Sequence, residues 1–217
     1  SYAQDANAAA IIWEALTNKE WGAGVSHDDL DLDSFKEAAT YLATHKLGIS
    51  LTLADQNSLD NLFDNIKAHV QTSTSWNGEK LFCHCWLDRD ASFASRHIIT
   101  RDNVSEVQFS RDTWETAYNE LRAEFIDREN NYERAVAFAQ DDAAMNSVGR
   151  VKSTKSDLTG FSKRETAERM STRILREMSS PQAMLKFKMN RLEKGMNEGS
   201  FVEFIWSNWT AGEATTY

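Results

Sequence analysis

The chain has 217 residues, an apolar fraction of 41% and seven tryptophans, enough to bury a core, which excludes a disordered polypeptide. No run approaches the 18 apolar residues of a transmembrane helix, and the opening SYAQDANAAAIIWEAL, with Asp5, Glu14 and no basic n-region, does not read as a signal peptide. The net charge of −9 is uneven: residues 1–149 hold 12 basic and 25 acidic side chains, whereas residues 150–194 hold 12 and 5. That basic stretch fits a solvated helix with flanking strands or a face for an acidic partner. With no arginine-rich arm or stacking platform, it does not suggest nucleic-acid binding.

Residues 8–17 read as a short helix, broken by Gly22 and Gly24. Asp31 or Asp33 can cap a second helix in which Phe35, Ala39 and Leu42 share one face, with Gly48 at the C′ position. ISLTL (49–53) alternates as a half-buried strand does. A third helix, capped at Asn57 or Ser58, carries the apolar stripe Leu59, Leu62, Phe63, Ile66 and Val70. Asn77-Gly78 then signals a hairpin with a type I′ turn, pairing residues 72–76 with 79–87. Residues 1–90 therefore form a small α+β unit.

Residues 118–127 and 132–142 fit either helix or strand. They hold good helix formers, yet Leu121, Ala123 and Phe125, then Ala135, Ala137 and Ala139, also alternate, around the polar turn 127–131. Residues 149–160 read as extended. Residues 162–180 are the clearest helix, with a Ser162/Glu165 capping box, a buried face of Ala167, Met170, Ile174 and Met178, and Pro181 beyond its end. Leu185, Phe187 and Met189 alternate in one late strand, and residues 200–209 form another.

The segment with most apparent chemistry is GEKLFCHCWLDRD (78–90), which holds both cysteines. In a strand, Cys83 and Cys85 share one face and His84 points to the other, so the three cannot chelate one ion. The cysteine Cα atoms stand roughly 6.5–7 Å apart, at or beyond disulfide reach. Zinc would need two further ligands from His27, His45, His69 or His97, none at motif spacing. Both thiols are expected to be buried and inert. No nucleophile elbow, zincin helix or phosphate cradle is present, since Gly22-Ala23-Gly24 lacks both the third glycine and the preceding strand. Asp28-Asp29, Asp88/Asp90 and Asp141-Asp142 read as solvated turns or caps. No catalytic, metal or cofactor-binding residue is assigned, no cofactor is expected, and the expectation is a non-enzyme.

An ordered set of motifs resembles the tail-tip or baseplate hub proteins of tailed phages. It comprises Asn7, Ile11, Ile12, Leu16-Thr17, Trp21-Gly22-Ala23-Gly24 and Leu32-Asp33-Ser34-Phe35. It continues with Phe109-Ser110-Arg111 and Trp114, then Tyr118-Asn119 through Phe125 and Asp127, Ser180-Pro181, and Gly199–Phe204. The chain departs from the family pattern at Ala8, where proline is usual, and at 197–200, where Asn-Glu-Gly-Ser replaces Pro-Gly-Asp.

The resemblance implies an α+β fragment of a longer protein: a small mixed helix/hairpin domain (1–98), then a tail-tube-like antiparallel β-sandwich or barrel (99–217) flanked by the helix at 162–178. It makes 118–127 and 132–142 paired strands. It implies a structural component of a virion tail, trimeric in the full-length protein, whose partners are its own copies, the tail tube and other tip proteins. Sequence-specific nucleic-acid binding and a membrane span are not expected. Trp206 and Trp209 are the interface candidates, with burial in the core as the other reading. The competing functions are a cell-wall-degrading domain and a host receptor- or glycan-binding module.

Overall fold

Asn7 begins the first helix by accepting the Ala9 N–H on its side-chain oxygen. This and all that follows comes from a computed structural model, which describes residues 5–51, 59–85, 97–189, 196, 202–205 and 215–216. Strand β1 (Ala6–Asn7) leads into α1 (Ala8–Thr17), followed by α2 (Leu32–Thr44). Asp31 caps α2, its carboxylate accepting the Ser34 N–H at 2.9 Å. The end of α2 differs from expectation. Lys46, not Gly48, takes the left-handed conformation (φ 54°), because Gly48 is used in β2 (Gly48–Ile49). β2 pairs antiparallel with β1, and a Cβ on Gly48 would lie 2.7 Å from that of Asp5. Among the described residues β2 ends at Ile49, short of the predicted 49–53 strand, whose residues 52 and 53 lie outside the described residues. Residues 52–58, with the predicted caps Asn57 and Ser58, lie outside the described residues.

Helix α3 (Leu59–Val70) buries Leu62, Ile66 and Val70, as its stripe predicts. The hairpin of β3 (Thr72–Trp76) and β4 (Leu81–Cys85) follows, with Trp76 opposite Leu81. Its loop therefore has four residues, 77–80, rather than two. The reason is the Asn77 side chain, which accepts the N–H groups of both Glu79 and Lys80 and builds a wider turn, leaving only Gly78 at positive φ.

Strands β5 (His97–Ile99) and β6 (Val104–Arg111) precede the central hairpin of β7 (Glu120–Asp127) and β8 (Glu133–Gln140). These two pair antiparallel over their full length, so the helix alternative falls. The short helix α4 (Asp142–Val148), capped by Asp141 and ended by Gly149 at φ 71°, leads to β9 (Ser153–Asp157), parallel to β7. Helix α5 (Arg164–Met178) then covers β7 and β8. Its predicted capping box does not form. Ser162 instead donates its hydroxyl to Asp5 (2.7 Å), and Lys163 takes the cap position without a side-chain bond. Leu175 (3% exposed) takes the buried place assigned to Met178, which is 37% exposed.

Strand β10 (Ala183–Met189) pairs antiparallel with β6. β11 (Val202–Phe204) lies between β5, parallel, and β12 (Thr215–Thr216), antiparallel. The class is α+β. Among the described residues the sheets have two or three strands each.

One hydrophobic cluster unites Ile12, Phe35, Leu42 and Ile66 with Phe125, Phe161 and Met170, and so draws on both sides of position 98. A smaller one gathers Ile99, Val104 and Phe204. Polar contacts reinforce the larger. Asp5, its carboxylate nearly buried, receives Ser162 and the Arg128 guanidinium and faces Lys163 at 3.4 Å. His69 accepts the buried Gly160 N–H on Nε2 at 2.8 Å, while its Nδ1 lies 2.8 Å from the Asn65 carbonyl.

Candidate assembly surface

The sheet β8–β7–β9 presents two unlike faces. The inner face holds Leu121, Ala123 and Phe125 of β7, with Ala135, Ala137 and Ala139 of β8, against α5. Alanines are required there because the helix lies close over β8. Alternation then sends the larger residues of β8 outward. Val136 is 52% and Phe138 50% exposed, and Tyr132 stands exposed just before the strand. Across the ladder Phe138 faces Arg122 and Val136 faces Glu124, with Lys155 of β9 beside Arg122. Arg134 and Glu124 approach to 3.6 Å on this face, an exposed pair of little energetic weight. β8 has a neighbour on one side only among the described residues, so its other edge offers backbone donors and acceptors. Apolar side chains on a free strand edge suit contact with another protein.

The exposed pair was legible in ERAVAFAQ, where alanine alternates with larger residues. Reading the alanines as the inward set shows that Val136 and Phe138 must face outward. The interface candidates Trp206 and Trp209 lie outside the described residues.

The cysteine strand is as alternation predicts. Cys83 and Cys85 are 1% and 2% exposed and reduced, opposite Thr74 and Thr72, with Cys85 Sγ directed to the Ala38 carbonyl at 3.8 Å. His84 lies on the other face, stacked on Phe82. Burial, then the neighbouring Cys85, pushes the Cys83 thiol up to about 12. The thiolate that alkylation requires is therefore scarce at neutral pH. Under native conditions iodoacetamide is therefore expected to leave both cysteines unlabelled over hours and to label both in urea; mass spectrometry reads the outcome, and rapid native labelling would contradict the burial. Among the described residues, no three His, Cys, Asp or Glu side chains are grouped to hold a metal ion. The four histidines weighed as further ligands are dispersed: His69 is used internally, His27 lies exposed in the turn before α2, His45 lies exposed at the end of α2, and His97 begins β5.

The basic segment becomes β9, α5 and β10. Several of its charges are locally engaged. Arg164 binds Asp127 at 3.0 Å and lies over the Phe125 ring, and Arg169 reaches Glu165 and the His45 carbonyl. Arg169, Arg173 and Arg176 line one side of a cleft of about 460 Å³ between α5 and the end of α2.

The chain belongs to the family described as "Putative phage tail protein", whose model matches residues 68–217. Two solved structures are similar to it. The prophage tail protein gp18 from Listeria monocytogenes EGD-e is 14% identical, with a TM-score of 0.41, over 78% of this chain and 49% of that one. The 43 kDa tail protein of prophage MuSo2 from Shewanella oneidensis is 13% identical, with a TM-score of 0.46, over 76% and 50%. The chain thus spans about half the length of each. No curated protein matches it.

Proposed function

We propose that the chain is a non-enzymatic structural module of a phage, prophage or gene-transfer-agent tail tip, part of a hub that joins its own copies, three in the full-length protein, to the tail tube and other tip proteins. The observation that carries this reading is the β8 edge, where Val136 and Phe138 stand about half exposed above a sheet firmly backed by α5. A rigid sheet edge with outward apolar side chains can be covered by a neighbouring subunit without rearrangement. Family membership supports a tail component, and the ordered motifs from Asn7 to Phe204 support the tip.

Immunogold labelling of intact tails with antibody to this chain tests the position. Gold is expected at the distal end only. Label along the whole tube, or none on purified tails, would refute the hub assignment.

A further inference from the structure

Asn77-Gly78 is the one asparagine–glycine pair in the chain, and residues 76–80 at the tip of the β3–β4 hairpin are all exposed. The Asn77 side-chain oxygen accepts the Glu79 N–H at 2.9 Å and the Lys80 N–H at 2.8 Å. Because those donors come later in the chain, the side chain is folded forward over the Gly78 amide. Neither the Gly78 N–H nor the Asn77 side-chain NH2 has a hydrogen-bond partner among the described residues. A Cβ on Gly78 would meet nothing within 4 Å, so the space around this amide is open. Three groups are thus arranged together: an unengaged backbone nitrogen, a carbonyl whose oxygen is held by two donors, and an unengaged amide nitrogen on that same carbonyl.

We propose that Asn77 is a site of spontaneous deamidation, driven by attack of the Gly78 backbone nitrogen on the Asn77 side-chain carbonyl carbon. The Gly78 N–H gives its proton to hydroxide, and the nitrogen bonds to Cγ, closing a succinimide ring. Negative charge develops on Oδ1, where the Glu79 and Lys80 N–H groups already point, as donors do in an oxyanion hole. The Cγ–Nδ2 bond then breaks, and the nitrogen takes up a proton and leaves as ammonia. Water opens the succinimide at either carbonyl, which yields aspartate or isoaspartate; nothing is oxidised or reduced. Both products place a new carboxylate two residues before Glu79, and isoaspartate also inserts a methylene into the loop that closes β3 onto β4. The change falls close to α2, because the Asp31 N–H donates to the Leu81 carbonyl at 2.9 Å. Asn18 provides an internal comparison. Its side-chain oxygen accepts the Glu20 and Trp21 N–H groups at 2.8 and 3.2 Å, yet the residue after it is Lys19, whose side chain crowds the approach that glycine leaves open.

Incubation of the folded chain in mildly alkaline buffer tests the site. Peptide mass spectrometry follows the amide-to-carboxyl mass change at each asparagine, and labelling by isoaspartyl methyltransferase reports isoaspartate. Position 77 is expected to convert first, at least about tenfold faster than position 18. Its rate should rise in proportion to hydroxide. It should be at least about threefold faster in the folded chain than in guanidinium chloride, where the two N–H groups no longer hold Oδ1. Gly78→Ala should remove the fast conversion and leave position 18 unchanged, with circular dichroism confirming the fold; the folded-against-denatured comparison needs no variant. No conversion at position 77, equal rates at positions 77 and 18, or a rate in denaturant that matches or exceeds the folded one would overturn the proposal. The tail position read by immunogold is decided independently.

Discussion

Phe125→Ala is expected to cost about 3–5 kcal/mol of unfolding free energy, read as a lowered urea midpoint. Phe125 is fully buried on the inner face of β7, in the cluster that also contains Ile12, Phe35 and Met170. Its ring lies 5.3 Å from the Arg164 guanidinium, so truncation removes both apolar contact and the surface on which that arginine rests. Close packing of α5 over the alanines of β8 leaves little room for collapse into the cavity, which favours the upper part of the range. Val136→Ala, one residue pair away but on the outer face, should shift stability by no more than about 0.5 kcal/mol. A loss below about 1.5 kcal/mol for Phe125→Ala would mean that the sheet does not depend on this cluster.

Acid is expected to weaken the protein through His69. The Asn65 carbonyl can only accept and the Gly160 N–H can only donate, so the imidazole is neutral with its proton on Nδ1. Burial lowers its pKa from 6.5, opposed by the hydrogen bond to Asn65 and by the charge of Asp157. Protonation would set a second N–H against that of Gly160. The folded pKa is depressed, so the unfolded chain binds the proton more readily. The stabilisation is fully present above about pH 6.5 and is lost as pH falls through the lower folded value, at up to about 1.4 kcal/mol per pH unit within that window. Urea midpoints between pH 7.5 and pH 5 should fall accordingly. His69→Gln, whose amide oxygen can accept from Gly160, should flatten the dependence, and the carboxylates that titrate lower down serve as a common background. His69→Phe should be weaker at every pH by about 1–3 kcal/mol, because the buried Gly160 N–H loses its acceptor. An unchanged pH slope in the glutamine variant would rule His69 out as the cause.

Local chemistry was readable in advance where it was self-contained. Asp31 caps α2 and Leu62, Ile66 and Val70 form the inner stripe of α3, because both depend only on spacing within one helix. The cysteine strand was legible for the same reason. What escaped depended on distant partners. Ser162 fits a capping box by spacing, yet Asp5, 157 residues earlier, takes its hydroxyl. Residues 118–142 carry helix formers, and only the motif resemblance, not their own pattern, made them a hairpin. The parallel pairings of β7 with β9 and of β5 with β11 leave no local mark at all. His69 was weighed only as a metal ligand. Its place three residues after Ile66, beside Val70 on the buried face of α3, was the available sign that it belonged to the core. Of the candidate surface, the outward Val136 and Phe138 follow from the alanine alternation once β8 is known to be a strand.

The clasp around Asp5 also has a consequence for the order in which the protein can be completed during translation. The hydroxyl partner of Asp5 is synthesised 157 residues after it, and Met170 of the shared cluster later still. At about 5–20 residues per second, that separation corresponds to roughly 8–30 s of elongation. Through that interval Ile12, Phe35 and Leu42 await part of their cover, and α1 and α2 must persist with their shared core incomplete.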